Sequence, residues 1–273
     1  MESLRSIDTW PVENAAATVV SGDGQVAGSH GDIGRVFPLA SVTKLITAYA
    51  ALIAVEEGVA ELDDPAGPPG STIRHLLAHA SGLNLNEHTT IADVGSRRIY
   101  SSAGFEQLAD ELAKRSGIAF DSYVREAVLA PLGMSSTTFE GSPGHGASSS
   151  AGDLIRFAAE LQRPTLIHPA TMDTATQVAF PGLAGVLPGF GRQEPNDWGL
   201  GFEIRDGKEP HWTGSSNSPR TFGHFGQSGT FLWVDPDADA ACVVLTDRDF
   251  GEWAAEVWPP LSDAVLAELA GRN

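Results

Sequence analysis

The feature that most limits what this chain can fold into is Val36–Val55, twenty residues in which Lys44 is the only charge. Its length and apolarity would fit a membrane span. It contains Pro38, Ser41, Thr43 and Thr47 as well, and a central lysine costs about 3 kcal/mol on insertion scales. The stretch therefore predicts a buried helix carrying one amine into the core of a water-exposed fold. With 273 residues, 42% of them hydrophobic, the chain has the material for that core.

Around this helix the pattern divides into three parts. Ala16–Ser21 and Gln25–Gly28 flank Gly22-Asp23-Gly24 and predict a hairpin, because Asp-Gly is a strong turn signal. Helical periodicity is expected over Thr72–His79, Gly104–Ser116, Phe120–Leu129 and Ala151–Leu161, the last with serines 148–150 as cap candidates. Pro164–Asn196 reads as surface turns with one short helix near Pro169–Thr176. Gly199–Ile204, Thr221–Phe225, Thr230–Val234 and Ala241–Leu245 read as strands, and Trp253–Leu269 as a closing amphipathic helix. Strands at both ends with helices between them predict an α/β (α+β) fold. In it, one antiparallel sheet is formed from both chain termini and flanked by helices, with an inserted, mainly helical region. Nothing resembles a flexible linker, so residues 1–273 are expected to form one domain. Its sheet region covers about 1–60 and 198–273, and its helical region about 61–197.

Composition narrows the function. The 35 acidic and 17 basic residues give a net charge of -18, which repels phosphate backbones and anionic lipid. Nucleic-acid and membrane-surface partners are therefore not expected. Cys242 is the only cysteine, so no intrachain disulfide can form; within Ala241–Leu245 it reads as a buried strand thiol. Met1–Ala17 lacks the apolar core of a secretion signal, and the expected location is cytoplasmic.

Three short segments carry the chemistry. Ser41-Val42-Thr43-Lys44 has the S-x-x-K spacing, which puts the serine hydroxyl and the lysine amine on one helical face. At its ordinary pKa of about 10.4 a lysine is free amine in only about one molecule in 2,500 at pH 7. Burial can lower that pKa enough to make it a base; the alternative is a lysine reaching out to the surface. Tyr100-Ser101-Ser102 stands at a helix start. There Tyr100 is either a second acid/base group or a packing residue ahead of a capping serine. Phe222–Thr230 reads either as a strand edge whose glycines admit a substrate backbone or as a plain hairpin turn beside an exposed His224.

Together with Phe37-Pro38-Leu39-Ala40, Leu62-Asp63-Asp64-Pro65, the run Thr72–Leu83 and Pro131-Leu132-Gly133-Met134, these segments make the chain recognisable. It resembles the serine beta-lactamase and penicillin-binding-protein superfamily, in the branch of class C beta-lactamases, DD-peptidases and related serine esterases. The resemblance runs from about Val36 to Thr246. It implies a beta-lactamase/transpeptidase-like fold in which Ser41 is the acylated nucleophile, with Lys44 and Tyr100 as its catalytic partners. It further implies an oxyanion hole from the backbone N–H groups of Ser41 and Gln227, and substrate contacts from Ser102, His224, Phe225 and Gly226. No cofactor or metal is implied.

Two departures bear on substrate. Ser102 stands where the family usually has asparagine, and His224 where it usually has a lysine that holds a substrate carboxylate. Both changes point to an ester or amide without that carboxylate. The expectation is a serine hydrolase acting on small esters. The alternatives are beta-lactamase, DD-peptidase or D-amino-acid amidase activity, and a non-catalytic relative that only binds a ligand. His75 and His79 have a metal-ligand spacing, yet Leu76-Leu77-Ala78 between them offers no general base of the zinc-protease kind, and no metal site is expected. No G-x-S-x-G elbow occurs, which argues against an α/β-hydrolase.

Overall fold

The computed structural model describes residues 1–271. The chain opens with a 3-10 helix, Ser3–Thr9, and the expected hairpin, β1 (Ala15–Ser21) and β2 (Val26–Gly31). Next come β3 (Val36–Pro38), one 3-10 turn (Ala40–Val42) and α1 (Thr43–Glu56). The buried helix therefore begins later than its apolar stretch. Pro38 disfavours helical backbone at Phe37, and Val36–Pro38 pairs as a strand with Ser148–Ser150 instead.

The inserted region supplies α2 (Ile73–Leu77), α3 (Ser102–Ser116) and α4 (Phe120–Val124), the last running on as a π-helical turn to Leu129. β4 (Thr138–Phe139), β5 (Ala147–Ser150), α5 (Ala151–Gln162) and α6 (Pro169–Ala175) follow. Ser150 caps α5 by accepting from the Asp153 N–H, as its position suggested. A small hairpin, β6 (Gly185–Leu187) and β7 (Gly191–Gln193), interrupts the segment read as turns. The chain then returns through β8 (Glu203–Ile204), β9 (Phe222–Gly226), β10 (Thr230–Asp235) and β11 (Ala240–Thr246) to α7 (Glu252–Ala270). Only the last two residues of Gly199–Ile204 are strand; Gly199 and Gly201 make a turn there instead, with Gly201 at φ 87°.

The main sheet has the order β2-β1-β11-β10-β9-β8 and is antiparallel throughout. β1 pairs with β11 from Ala15↔Thr246 to Ser21↔Ala240, so the two ends of the chain do build one sheet. Alternation along β11 divides the core. Ala241, Val243 and Leu245 face the helical layer with α1 and α5, whereas Cys242 and Val244 face Trp258 and Val265 of α7. α1 is buried from Thr43 to Ala54, and its apolar residues from Leu45 to Ala54 belong to the larger cluster. No helix among the described residues is long and apolar enough to cross a membrane.

Candidate active site

Ser41 sits on the 3-10 turn before α1, directly after Ala40, whose φ of 43° is unusual for a residue with a side chain. The turn after β9 is stitched to this point. Thr230 Oγ1 donates to the Leu39 carbonyl at 3.0 Å, and Ser228 Oγ donates to that of Pro38 at 2.7 Å. A Cβ on Gly226 would collide with the Leu39 carbonyl oxygen, so the close approach requires glycine there. The same stitching brings Gln227 beside Ser41 on the wall of one cavity. The Gln227 carbonyl accepts from the Phe250 N–H at 2.7 Å, and its side chain donates back to the Phe250 carbonyl at 3.2 Å. Among the described residues, neither the Ser41 nor the Gln227 backbone N–H donates to another backbone or side-chain acceptor.

Lys44, the second residue of α1, has no exposed surface. Its Nζ donates to Ser102 Oγ at 3.0 Å and to the Gly144 carbonyl at 2.8 Å, and lies 4.6 Å from the centre of the Tyr100 ring. Lys208, also buried, is ion-paired with Glu203; Lys44 has only these neutral acceptors. Burial lowers its pKa to about 7, against a weaker upward pull from the Glu106 carboxylate. A neutral amine has two N–H donors and one lone pair. Its two hydrogen bonds therefore use both donors and leave the lone pair uncommitted. No hydrogen bond joins Lys44 to Ser41 directly, although the S-x-x-K spacing suggested contact.

Tyr100 precedes α3, whose N-cap Ser101 accepts from the Gly104 N–H at 2.9 Å. Burial pushes the Tyr100 phenol above its usual pKa, and the neighbouring Ser41 side chain pulls it partly back. The phenol makes no full hydrogen bond among the described residues. Ser102, expected to touch substrate, faces the cavity but spends its hydroxyl on Lys44.

His224 lies in β9 against Tyr100 and Trp198, with ring centres 5.5 and 5.3 Å away. Its Nδ1–H donates to the Phe225 carbonyl at 2.6 Å, and Nε2 is buried without a partner among the described residues. Burial, with a smaller contribution from Lys44, lowers its pKa to about 3, so the ring is neutral throughout the physiological range. The Phe225 ring borders the cavity but packs mainly away from it, on Phe250 and Trp258.

The segments that the sequence singled out thus converge on one cavity of about 450 Å³, shared by Ser41, Tyr100, Ser102, His224, Phe225 and Gln227. Leu85, Pro188, Asn86 and His145 complete its walls, and no arginine or lysine lines it. Three participants escaped sequence reasoning. Gly144 contributes only a carbonyl, which no side-chain pattern reveals. Glu106 looks like any exposed helix charge until the fold sets it near Lys44. His79 was legible only as half of a metal-ligand spacing; its ring instead lies 4.7 Å from Tyr100 and its Nδ1 accepts from the Ser101 N–H. His75 stacks on Phe180.

Comparison with known proteins shows the family and the fold. A family model described as Beta-lactamase matches residues 12–267. A solved structure described as a beta-lactamase from Mycobacterium bovis is 57% identical, with a TM-score of 0.96 over 98% of this chain and 99% of that one. The D-alanyl-D-alanine-carboxypeptidase/endopeptidase AmpH of Escherichia coli is 27% identical over 175 residues, 47% of this chain and 46% of that protein. The match therefore spans about half the length of that curated relative. EstCE1, described as a hydrolase with promiscuous acyltransferase activity, shares the fold at 19% identity. Its TM-score is 0.77, over 97% of this chain and 96% of that one.

Proposed function

The chain belongs to the Beta-lactamase family, and from that premise we propose that it is a serine hydrolase cleaving small, uncharged esters through an acyl-enzyme on Ser41. The observation that carries the reading is the buried, neutral-acceptor environment of Lys44 against the ring of Tyr100, whose phenol neighbours Ser41. With a pKa of about 7, roughly half the amines are free base at neutral pH. The phenol, raised by burial, stays protonated. Lys44 is then the base and Tyr100 the proton donor.

As Ser41 Oγ bonds to the ester carbonyl carbon, its proton passes to the Lys44 lone pair. The carbonyl π pair moves onto oxygen, where the N–H groups of Ser41 and Gln227 receive it. The tetrahedral intermediate collapses by breaking the C–O bond to the alcohol, which leaves with a proton from Tyr100; Lys44 restores the phenol. Water repeats the sequence on the acyl-enzyme and frees Ser41.

The substrate class follows from what the cavity lacks. A substrate carboxylate would meet neutral His224 and apolar Leu85, Pro188 and Phe225, with no lysine or arginine among the lining residues to hold it. Beta-lactam hydrolysis is the second reading, favoured by the 57% identity to the structure described as a beta-lactamase. Turnover of 4-nitrophenyl butyrate compared with a chromogenic cephalosporin separates the two, with Ser41→Ala as the blank. Ester turnover should exceed cephalosporin turnover; the reverse order overturns the substrate assignment. Intact mass after a fluorophosphonate probe tests the nucleophile. The wild type should gain one adduct and Ser41→Ala none, and an unlabelled wild type defeats the hydrolase reading altogether.

A further inference from the structure

His79 grips the chain on both sides of Tyr100. Its carbonyl accepts from the Ile99 N–H at 2.9 Å, and its ring Nδ1 accepts from the Ser101 N–H at 3.1 Å. The residue held between those two bonds is Tyr100, and the imidazole lies against its ring with centres 4.7 Å apart. The backbone of His79 turns left-handed, φ 55°, to present carbonyl and ring to the same strand of chain. Trp198 and Phe105, at 4.5 and 5.2 Å, close the cage around the imidazole.

Packing alone does not account for a histidine here. Because a backbone N–H can only donate, Nδ1 must be the acceptor, which leaves the proton of the neutral ring on Nε2. That Nε2 is buried with no hydrogen-bond partner among the described residues. An orphaned buried donor is unfavourable, and phenylalanine would fill the same aromatic cage without one. What phenylalanine cannot supply is the acceptor for Ser101. The Ser101 N–H in turn fixes the first residue after Tyr100, at the N-cap of α3.

We propose that His79 is a positioning residue that fixes the Tyr100 phenol beside Ser41 through its paired bonds to residues 99 and 101. The proposal rests on the reading of Tyr100 as proton donor, and its test includes a measurement that does not depend on turnover. The chain has three tyrosines, Tyr49, Tyr100 and Tyr123, and burial raises all three above the ordinary value. The wild type should therefore show no tyrosinate absorbance near pH 10. His79→Phe keeps a ring and drops the acceptor; a loosened Tyr100 should then ionise at about 10, adding one equivalent that is absent from H79F/Y100F.

In the ester assay H79F should lose kcat by roughly 30–100-fold, the scale of a small misplacement of a reacting group, with KM little changed. In the Y100F background the same substitution should change kcat little, because its effect runs through the phenol. His79→Asn should recover most of the loss, since its Oδ1 can accept from Ser101 and asparagine tolerates left-handed backbone. The proposal is overturned by a folded H79F with wild-type titration and kcat, or by an H79F loss equally large with and without Tyr100. Should H79F not fold, H79N decides: activity near wild type supports the clamp, and a folded H79N as impaired as Y100F refutes it. If the wild type turns over no ester, the ester assignment fails while the tyrosine titration still decides whether His79 holds Tyr100.

Discussion

Replacing Lys44 by methionine should raise stability while abolishing activity. A lysine lowered from 10.5 to about 7 on folding implies about 5 kcal/mol of destabilisation at 1.36 kcal/mol per pKa unit. Lys44→Met removes that penalty and keeps most of the apolar volume. It leaves the Gly144 carbonyl and the Ser102 hydroxyl without their donor, at a cost of about 2 kcal/mol together. The net gain is about 3 kcal/mol, which corresponds to roughly 6–12 °C in Tm for a domain of this size. The sign with pH follows from linkage. Below pH 7 both folded and unfolded wild type hold the Lys44 proton, and the gap is complete. Between 7 and 10.5 the unfolded chain binds more protons than the folded one, so the wild type gains stability and the gap closes. Paired calorimetric scans at pH 6 and pH 9.5 read this directly, while ester turnover should fall by about 10³-fold. A variant that melts below the wild type at pH 6, or a gap that does not shrink by pH 9.5, would refute the claim that a neutral amine is buried there.

Other consequences can be measured on the same enzyme. Its kcat/KM should rise with pH through about 7 as Lys44 deprotonates and show no histidine limb from His224, whose pKa lies at about 3; a rate still climbing tenfold per unit above pH 8 contradicts this. Glu106→Gln removes the charge that pulls the Lys44 pKa up, so that limb should move to lower pH; an upward move counts against the assignment. Gly144→Ala puts a methyl group 3.0 Å from Ser102 Cβ, and lifting the loop off Lys44 should let water in and shift the limb upward. Gly226→Ala, which collides with the Leu39 carbonyl, should separate Gln227 from Ser41 and lower kcat by about 10²-fold or more, checked by steady-state kinetics on protein shown to be folded.

The sequence was most legible where local patterns carry the information. Hairpin β1–β2, the late strands and the long helices follow from period and turn residues, and the two-ended sheet follows from their order. Boundaries were less legible where a proline or glycine acts against its surroundings, as at Val36–Pro38 and Gly199–Gly201. Within the site, S-x-x-K pointed to a meeting of Ser41 and Lys44, whereas the amine bonds to Ser102 and Gly144. It could not reveal that the amine's acceptors stand 58 and 100 positions further along the chain. Nor could any pattern distinguish His79 as a clamp, because its partners are backbone N–H groups created by the path of the chain around Tyr100.

That path also explains why an ordinary lysine becomes a base here. A lysine in an apolar helix can still reach water with its long stem, so the helix alone does not lower its pKa. Residues 142–147 close the exit. Thr47 Oγ1 donates to the Pro143 carbonyl at 2.6 Å, Thr43 Oγ1 accepts from the Ala147 N–H at 3.1 Å, and Ser142 Oγ donates to Glu106 at 2.6 Å. Thr43 and Thr47 lie on α1 on either side of Lys44, and Glu106 lies on α3 one turn from Ser102, so one loop is fastened to both helices that hold the amine. The loop supplies a carbonyl and no carboxylate at the amine. A carboxylate there would favour the ammonium form and restore the pKa that burial lowers, as the Glu203 charge opposes burial at Lys208. Neutral acceptors satisfy the two N–H groups of the free base without favouring its protonation to the same degree. The polar residues in the apolar helix thus have a common purpose: Thr43 and Thr47 hold the cover, and the cover keeps enough of Lys44 as free amine at neutral pH for it to act as a base.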